Sequence, residues 1–154
     1  YLNAENQLQP IPDIPPYCHW QPETRTVSEP DIDALHADAG RMIDEAAANV
    51  YGRFTRFDQE YIIREQHAMA YRDAGYAGEV PRQVAAFAVP AGIEPHQAAD
   101  IILQQAAMLR GAIEQLSELR MRKYEVYAAA TVAEKLAVMD AVLIAIKAFG
   151  EQLT

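Results

Sequence analysis

The chain has little cysteine, with Cys18 alone among 154 residues. A disulfide within one chain needs two cysteines, so no disulfide framework holds this fold, and the composition suits a reducing compartment. A structural zinc site needs about four ligands in repeated pairs. The histidines are scattered, and no two have metal-ligand spacing on one helix face; they are His19, His36, His67 and His96. The sequence therefore predicts neither a bound metal nor a cofactor.

Basic residues are also few, with 13 against 22 acidic residues and a formal net charge of −9. Sequence-independent binding to nucleic acid or to an anionic membrane requires a basic surface. No apolar run approaches the roughly 18 residues that a membrane-spanning helix needs. The composition therefore predicts a partner that is neither nucleic acid nor membrane.

One basic run stands against this trend, "LRMRKYEVY", with Arg120, Arg122 and Lys123. Two interleaved tyrosines could suggest stacking on nucleic-acid bases. Cations near the end of a helix also complement its dipole. In a chain this acidic, we favour that interpretation, or a local contact with the acidic first helix.

Residues 1–27 carry most of the prolines, as in "IPDIPPYCHWQP". Proline fixes φ, removes a donor and pushes the preceding residue to an extended conformation. This segment is therefore predicted to be an extended arm with polyproline character. Apolar side chains along an extended arm usually lie in a groove, on the same domain or on a partner. The predicted contact residues are Ile11, Ile14, Tyr17 and Trp20.

Cys18 and His19 have two interpretations. A cysteine nucleophile would need a base supplied by the fold, and no local signature surrounds Cys18. A small packed cysteine beside the amphipathic anchors Tyr17 and Trp20 is the favoured interpretation. Acidic residues of the first helix, such as Asp38 and Asp44, are likewise expected to form a solvated face.

Residues 28–154 are predicted to form an all-α domain of about five helices, because no alternating strand pattern is long enough to indicate a sheet. The first helix is expected to start with a cap at Ser28 and to end near Tyr51. The fifth is expected to begin with a capping box at Thr131 and Glu134, "TVAE". The predicted middle helices are 55–74, 81–89 and a long helix from Pro95 to about Ala128.

The long fourth helix carries a stripe that steps by four and three residues, close to a coiled-coil seam. Its members are Ile102, Ala106, Leu109, Ile113, Leu116 and Leu119. The fifth helix carries a second stripe, so the two predict a long antiparallel hairpin. Among the seam residues, Ile102, Leu109, Ile113 and Leu116 are predicted to contact a partner, including another copy in a homo-oligomer.

Residues 53–126 resemble a group of small proteins encoded in the tail gene clusters of tailed bacteriophages and phage-derived bacteriocins. The resemblance rests on "AYRDAGYAG", "VPRQVAAFA", "AADIILQQA" and "LRMRKYEV". These are helix-forming segments, and they carry no active-site residues to transfer. The resemblance implies protein–protein contacts during tail building.

The expected function is therefore that of a non-enzymatic tail protein, associated with the tail fibre or baseplate and located in the virion tail after assembly in the bacterial cytoplasm. A tail-fibre assembly chaperone would use the same surfaces. A small enzyme or metal protein using Cys18 and His19 is the third hypothesis. Because Tyr1 is too large to follow an excised initiator methionine, the natural chain is expected to begin upstream.

Overall fold

The computed structural model describes residues 1–153, so Thr154, the last residue of the predicted helical domain, lies outside the described part. Within this described part, six helices follow a short N-terminal hairpin, and the all-α prediction is confirmed. The strands are β1 (Trp20–Gln21) and β2 (Thr26–Val27), which pair antiparallel. The helices are α1 (Ile32–Tyr51), α2 (Asp58–Asp73), α3 (Arg82–Ala91), α4 (Pro95–Met121), α5 (Lys123–Ala128) and α6 (Val132–Gln152). Across residues 1–153, no helix has the length and apolar character required to cross a bilayer.

The start of α1 differs from the prediction, because Asp31 and not Ser28 caps the helix. The Asp31 side chain accepts a hydrogen bond from the Ala34 amide at 2.9 Å. The Ser28 hydroxyl is engaged elsewhere, since it accepts from the His19 amide at 2.8 Å. Ser28 therefore closes the N-terminal hairpin, and the predicted cap at Ser28 is wrong.

The predicted fourth helix is divided at Arg122 into α4 and α5. The Arg122 amide donates to the Leu119 carbonyl, a tighter bond than the α-helical one, which marks the end of α4. The short α5 then packs on α6 and α1, and Val126 is completely buried there. By contrast, the capping box at Thr131 and Glu134 is present as predicted and starts α6.

Two separate groups of buried residues form the interior. The large core lies between α1, the C-terminal part of α4, α5 and α6, and the small core lies between α2, α3 and the N-terminal part of α4. Buried members of the large core are Leu35, Ala39, Ile43, Ala47, Val50, Leu116, Val126, Met139, Val142, Ile146 and Phe149. Those of the small core are Ala68, Tyr71, Val84, Ala88, Ala98, Ala99 and Ile102. Helix α4 is thus the element that both cores share.

The predicted hairpin forms only in part. Helices α4 and α6 do contact each other, but α6 packs more extensively on α1 and α5. The turn of the chain at Arg122 places α5 between the ends of the two long helices. As a result, the stripe of α6 faces α1 as well as α4.

A close approach joins α1 to α5. A Cβ atom at Gly40 would lie 2.6 Å from the Tyr127 hydroxyl oxygen, nearer than atoms of these types can come without a shift. The Tyr127 ring also packs against His36 at a tilt of 45°, with ring centroids 4.9 Å apart. Glycine at position 40 therefore lets the tyrosine lie against the helix.

We expect Gly40→Ala to lower the free energy of unfolding more when residue 127 is tyrosine than when Tyr127→Phe is also present. In a helix interior, alanine is favoured over glycine by about 1 kcal/mol. The clash with the hydroxyl should cost about 1–3 kcal/mol and should vanish with phenylalanine. Urea unfolding followed by circular dichroism measures both free energies, and their difference gives the coupling.

Gly111→Ala is the matched control, because a Cβ there would meet nothing within 4 Å among the described residues. It should stabilise the protein by up to about 1 kcal/mol. Equal effects of Gly40→Ala in the tyrosine and phenylalanine backgrounds would show that the contact is unimportant.

A buried lysine holds the end of α5. Lys135 on α6 is only 5% exposed, and its Nζ donates to the carbonyls of Val126 at 3.1 Å and Tyr127 at 2.8 Å. The last carbonyls of a helix lack partners within the helix. Lys135 therefore satisfies the C-terminal end of α5 and attaches it to α6.

We expect Lys135→Met to lower the free energy of unfolding by about 1–3 kcal/mol, because the buried Val126 carbonyl and the half-buried Tyr127 carbonyl lose their donor. Lys147→Met on the exposed side of α6 is the control and should change stability by less than about 0.5 kcal/mol. Thermal and urea unfolding measure both variants. A Lys135 variant as stable as the control would contradict this role.

Candidate docking surfaces

The N-terminal arm is attached to the helical domain at Tyr17 and Cys18. The Tyr17 carbonyl accepts from the Asp31 amide at 2.7 Å, and its ring packs against the large core. The Tyr17 hydroxyl donates to Asp38 Oδ2 at 3.5 Å. Burial raises the pKa of Tyr17, and the Asp38 carboxylate raises it further. Cys18 is buried beside it, so from Tyr17 onward the arm lies on its own chain.

Trp20 also contacts its own chain. Its ring lies 5.1 Å from that of Tyr1, measured between centroids. The first nine residues close into a loop, since the Gln9 amide donates to the Tyr1 carbonyl at 2.7 Å and Leu2 forms a bridge with Leu8. The segment without regular structure is therefore shorter than the predicted arm, which was 1–27. It comprises residues 9–15.

Three aliphatic side chains around this short segment are exposed. Leu8 is 84% exposed, Ile11 55% and Ile14 44%. We call Leu8, Ile11 and Ile14 the arm strip. Among the hydrogen bonds of residues 1–153, none involves the backbone amides of Ile11, Asp13 or Ile14. The arm strip thus combines apolar side chains with unused backbone donors, as a docking segment requires.

The structure divides the predicted seam of α4 into two pairs. Ile102 is 3% exposed in the small core, and Leu116 is completely buried in the large core. These two side chains pack inside their own chain, and Ile102 also lines one end of a groove. Leu109 and Ile113 are half-buried and line an open groove.

This groove lies where α4 passes from one core to the other. Residues 104–111 of α4 belong to neither core within the described chain, and we call them the waist. Two adjoining cavities of about 240 Å³ and 230 Å³ lie between the waist and α2. They share four lining residues: Phe54, Tyr61, Ala106 and Leu109. We call the two cavities together the waist groove.

Charged residues lie along the α2 side of the waist groove. Arg64 lines one cavity and pairs with Glu60, while Glu65 lines the other and pairs with Arg110. The Arg64 Nε atom is buried and has no hydrogen-bond partner in residues 1–153. The groove therefore combines apolar and aromatic walls with charged side chains that pair with neighbours in the same chain.

The aromatic walls Phe54 and Tyr61 were not among the predicted contact residues. They come from the α1–α2 connection and the start of α2, far from the seam of α4 in sequence. The aromatic run "RFTRFDQEY" was a usable signal, but only the tertiary packing brings it against α4.

The basic run at the end of α4 contacts the acidic first helix, as favoured from the sequence. Arg120 Nε lies 2.7 Å from Asp44 Oδ1, and Lys123 Nζ lies 3.0 Å from Asp44 Oδ2. The hydrogen bond from Arg120 holds the pKa of Asp44 below its usual value, and Lys123 lowers it further. Arg122 pairs with Glu125 at 3.0 Å. The cations of this run are thus engaged within the chain.

The third hypothesis depended on Cys18 and His19. Cys18 is buried, whereas His19 is exposed. Within residues 1–153, no three histidine, cysteine or carboxylate side chains are grouped so that they could hold a metal ion. The two residues therefore lie in different environments, one packed and one solvated.

Comparison with known proteins points to bacteriophages. The chain is 43% identical over 83 residues to the "Uncharacterized 23.3 kDa protein in lys 3'region" of Haemophilus phage HP1 (strain HP1c1). That stretch is 54% of this chain and 42% of the phage protein, so the chain spans less than half of its relative. No protein-family model matches the chain, and no solved structure does. The protein is thus related in sequence to a phage-encoded protein.

Proposed function

We propose that this protein is a non-enzymatic docking protein of a bacteriophage tail, associated with the tail fibre or the baseplate. The observation that carries the proposal is the exposed arm strip. Its segment comes just before Tyr17, which is hydrogen-bonded to the start of the helical domain. The phage relative supports the phage setting. The resemblance of residues 53–126 to proteins of tail gene clusters supports the tail. The protein would act in the virion tail, after assembly in the host cytoplasm.

The physical properties of the arm suit docking. Prolines at positions 12, 15 and 16 fix φ, so the segment has less conformational freedom to lose when it binds. Burying the arm strip removes exposed apolar surface from water, which favours association. Its unused backbone amides can pair with carbonyls of the partner.

A tail-fibre assembly chaperone is the second candidate, favoured by the open waist groove. Such a groove can hold an apolar segment of an unassembled partner and release it later. The strongly acidic surface suits a protein that must stay soluble beside an aggregation-prone client. The two functions differ in whether the protein remains in the finished particle.

We expect quantitative mass spectrometry of purified tail particles to find this protein at a fixed, small copy number. Replacement of the arm strip, by Leu8→Ser, Ile11→Ser and Ile14→Ser together, should remove most of it from the particles. The exposed Ile144→Ser on α6 is the control for a lost surface isoleucine and should leave incorporation unchanged. Cys18→Ala should likewise be tolerated.

The soluble fraction of the producing cells separates the two candidates. Absence from particles, with recovery on unassembled fibre protein, would identify the chaperone. Absence from both would overturn the tail proposal. Normal incorporation of the arm-strip variant would show that the arm is not the docking element.

A further inference from the structure

We propose that the arm strip docks on a positively charged apolar surface of another protein, and that the carboxylates around the strip select this partner. The inference rests on the proposed docking role of the arm and names the chemistry of the surface that receives it. Three observations carry it: acidic residues are concentrated around the arm, they have no counter-charge in the chain, and one of them lies between the isoleucines of the strip.

Negative charge is concentrated in the first 33 residues. This segment contains six acidic residues and one basic residue, whereas the rest of the chain contains 16 acidic and 12 basic residues. More than half of the formal net charge of −9 therefore lies in about a fifth of the chain. We call the six carboxylates the acidic end; they are Glu5, Asp13, Glu23, Glu29, Asp31 and Asp33.

The fold gathers these carboxylates around the arm. The Tyr1 ring lies 5.1 Å from the Trp20 ring, measured between centroids, and this contact holds the first loop against the hairpin. The Tyr17 carbonyl accepts from the Asp31 amide at 2.7 Å, which holds the arm at the start of α1. The acidic end is therefore a surface region at the N-terminal end of α1, and the arm strip is attached to it.

The acidic end has no counter-charge within the chain. All six carboxylates are exposed, and none forms an ion pair within residues 1–153. Arg25 is the one basic side chain of the segment, and its guanidinium lies over the Tyr1 ring, 6.0 Å from the centroid. By contrast, the next carboxylate along the chain, Asp38, pairs with Arg41 at 3.3 Å. The acidic end thus presents uncompensated negative charge, which attracts a cationic surface and repels an anionic one.

Asp13 links this charge to the arm strip. It lies between Ile11 and Ile14 in the sequence, so its carboxylate reaches any surface that covers the two isoleucines. A carboxylate that loses its water without a counter-charge is unfavourable. A partner that covers the strip therefore binds more tightly when it places a lysine or an arginine beside Asp13, and a negatively charged apolar surface is rejected.

The waist groove of the same chain cannot be this partner. Tyr17 is bonded to Asp31 at the start of α1, whereas the Tyr51 hydroxyl, at the other end, donates to the Ile113 carbonyl beside the groove. The 20 residues of α1 span about 30 Å. The six residues from Tyr17 to Ile11 extend at most about 22 Å. The isoleucines of the strip therefore dock on another molecule.

Salt washes of purified tail particles test the inference. The Debye length falls from about 10 Å at 0.1 M salt to about 3 Å at 1 M, so exposed ion pairs weaken while apolar contacts persist. We expect the protein to bind the particles about tenfold more weakly at about 1 M salt than at about 0.1 M. If the protein is recovered on unassembled fibre protein instead, that complex is washed in the same way.

Removal of three carboxylates tests the same point without added salt. Glu5→Gln, Asp13→Asn and Glu29→Gln together should weaken retention at about 0.1 M salt by about tenfold, because three ion pairs with the partner are lost. The remaining retention should then depend little on salt. Circular dichroism establishes that the variant is folded.

The matched control removes the same charge from another part of the surface. It combines Glu79→Gln, Glu114→Gln and Glu118→Gln, three exposed carboxylates outside the acidic end. We expect this control to be retained like the unmodified protein. An equal loss in the control and in the acidic-end variant would overturn the inference, because net charge alone would explain the retention.

A carbodiimide cross-link identifies the molecule that the arm meets. The reagent joins a carboxylate to a lysine amine as an amide and takes up the water that is lost, and it acts between groups in contact. Peptide mass spectrometry should find Asp13 joined to a lysine of a fibre or baseplate protein. A cross-link from Asp13 to a lysine of a second copy would overturn the inference, because this chain would then be its own partner.

The inference and the tail function fail on different results. Retention that is lost in the arm-strip serine variant, but that neither salt nor the acidic-end variant weakens, would overturn the inference and leave tail docking in place. Absence of the protein from both the particles and the fibre protein would overturn the tail function, together with the inference that rests on it.

Discussion

Helix α4 packs in both hydrophobic cores, and the rest of the structure depends on this constraint. Helix α4 buries Ile102 in the small core and Leu116 in the large core. Fourteen residues of a continuous helix hold these two side chains about 21 Å apart. The two cores therefore cannot merge, and residues 104–111 in the middle of α4 belong to neither. The waist groove is the direct consequence of this separation.

The large core is fastened by contacts that all involve the end of α4 and the helix that follows. Asp44 on α1 meets Arg120 and Lys123, Gly40 admits Tyr127, and Lys135 on α6 holds the last carbonyls of α5. The contacts of Asp44 and Gly40 join elements distant in sequence, whereas Lys135 joins α6 to the preceding helix α5. Together they fix the direction of α4 relative to α1, and so they set where the groove lies with respect to the arm.

Local signals in the sequence predicted the helices well wherever no distant partner competed. The "TVAE" capping box starts α6, and Gly92 ends α3 with a φ of 65°, in the left-handed region that glycine tolerates best. The two wrong predictions, the cap at Ser28 and the undivided fourth helix, have one cause, which is packing with other parts of the fold. Ser28 is a good cap by type, but His19 engages its hydroxyl from across the hairpin. The division at Arg122 serves the burial of Val126, which no local pattern shows.

The candidate surfaces were partly predictable for the same reason. The prolines and isoleucines of the arm lie close together in sequence, so the arm strip could be identified directly. The stripe of α4 was recognised, but its period does not tell which turns a neighbouring helix covers. Ile102 and Leu116 are covered, whereas Leu109 and Ile113 are not. Phe54 and Tyr61 join the groove only through the fold.

The attachment at Tyr17 limits which surfaces of its own chain the arm can contact. A freely tethered apolar segment would have a high effective concentration at any groove on its own chain and would occupy that groove first. Because Tyr17 is held at the start of α1 and the groove lies beyond its end, this intramolecular contact is too far to form. The arm strip and the waist groove of one chain therefore cannot cover each other. The length of the arm and the position of its attachment keep the arm strip away from the groove of the same chain.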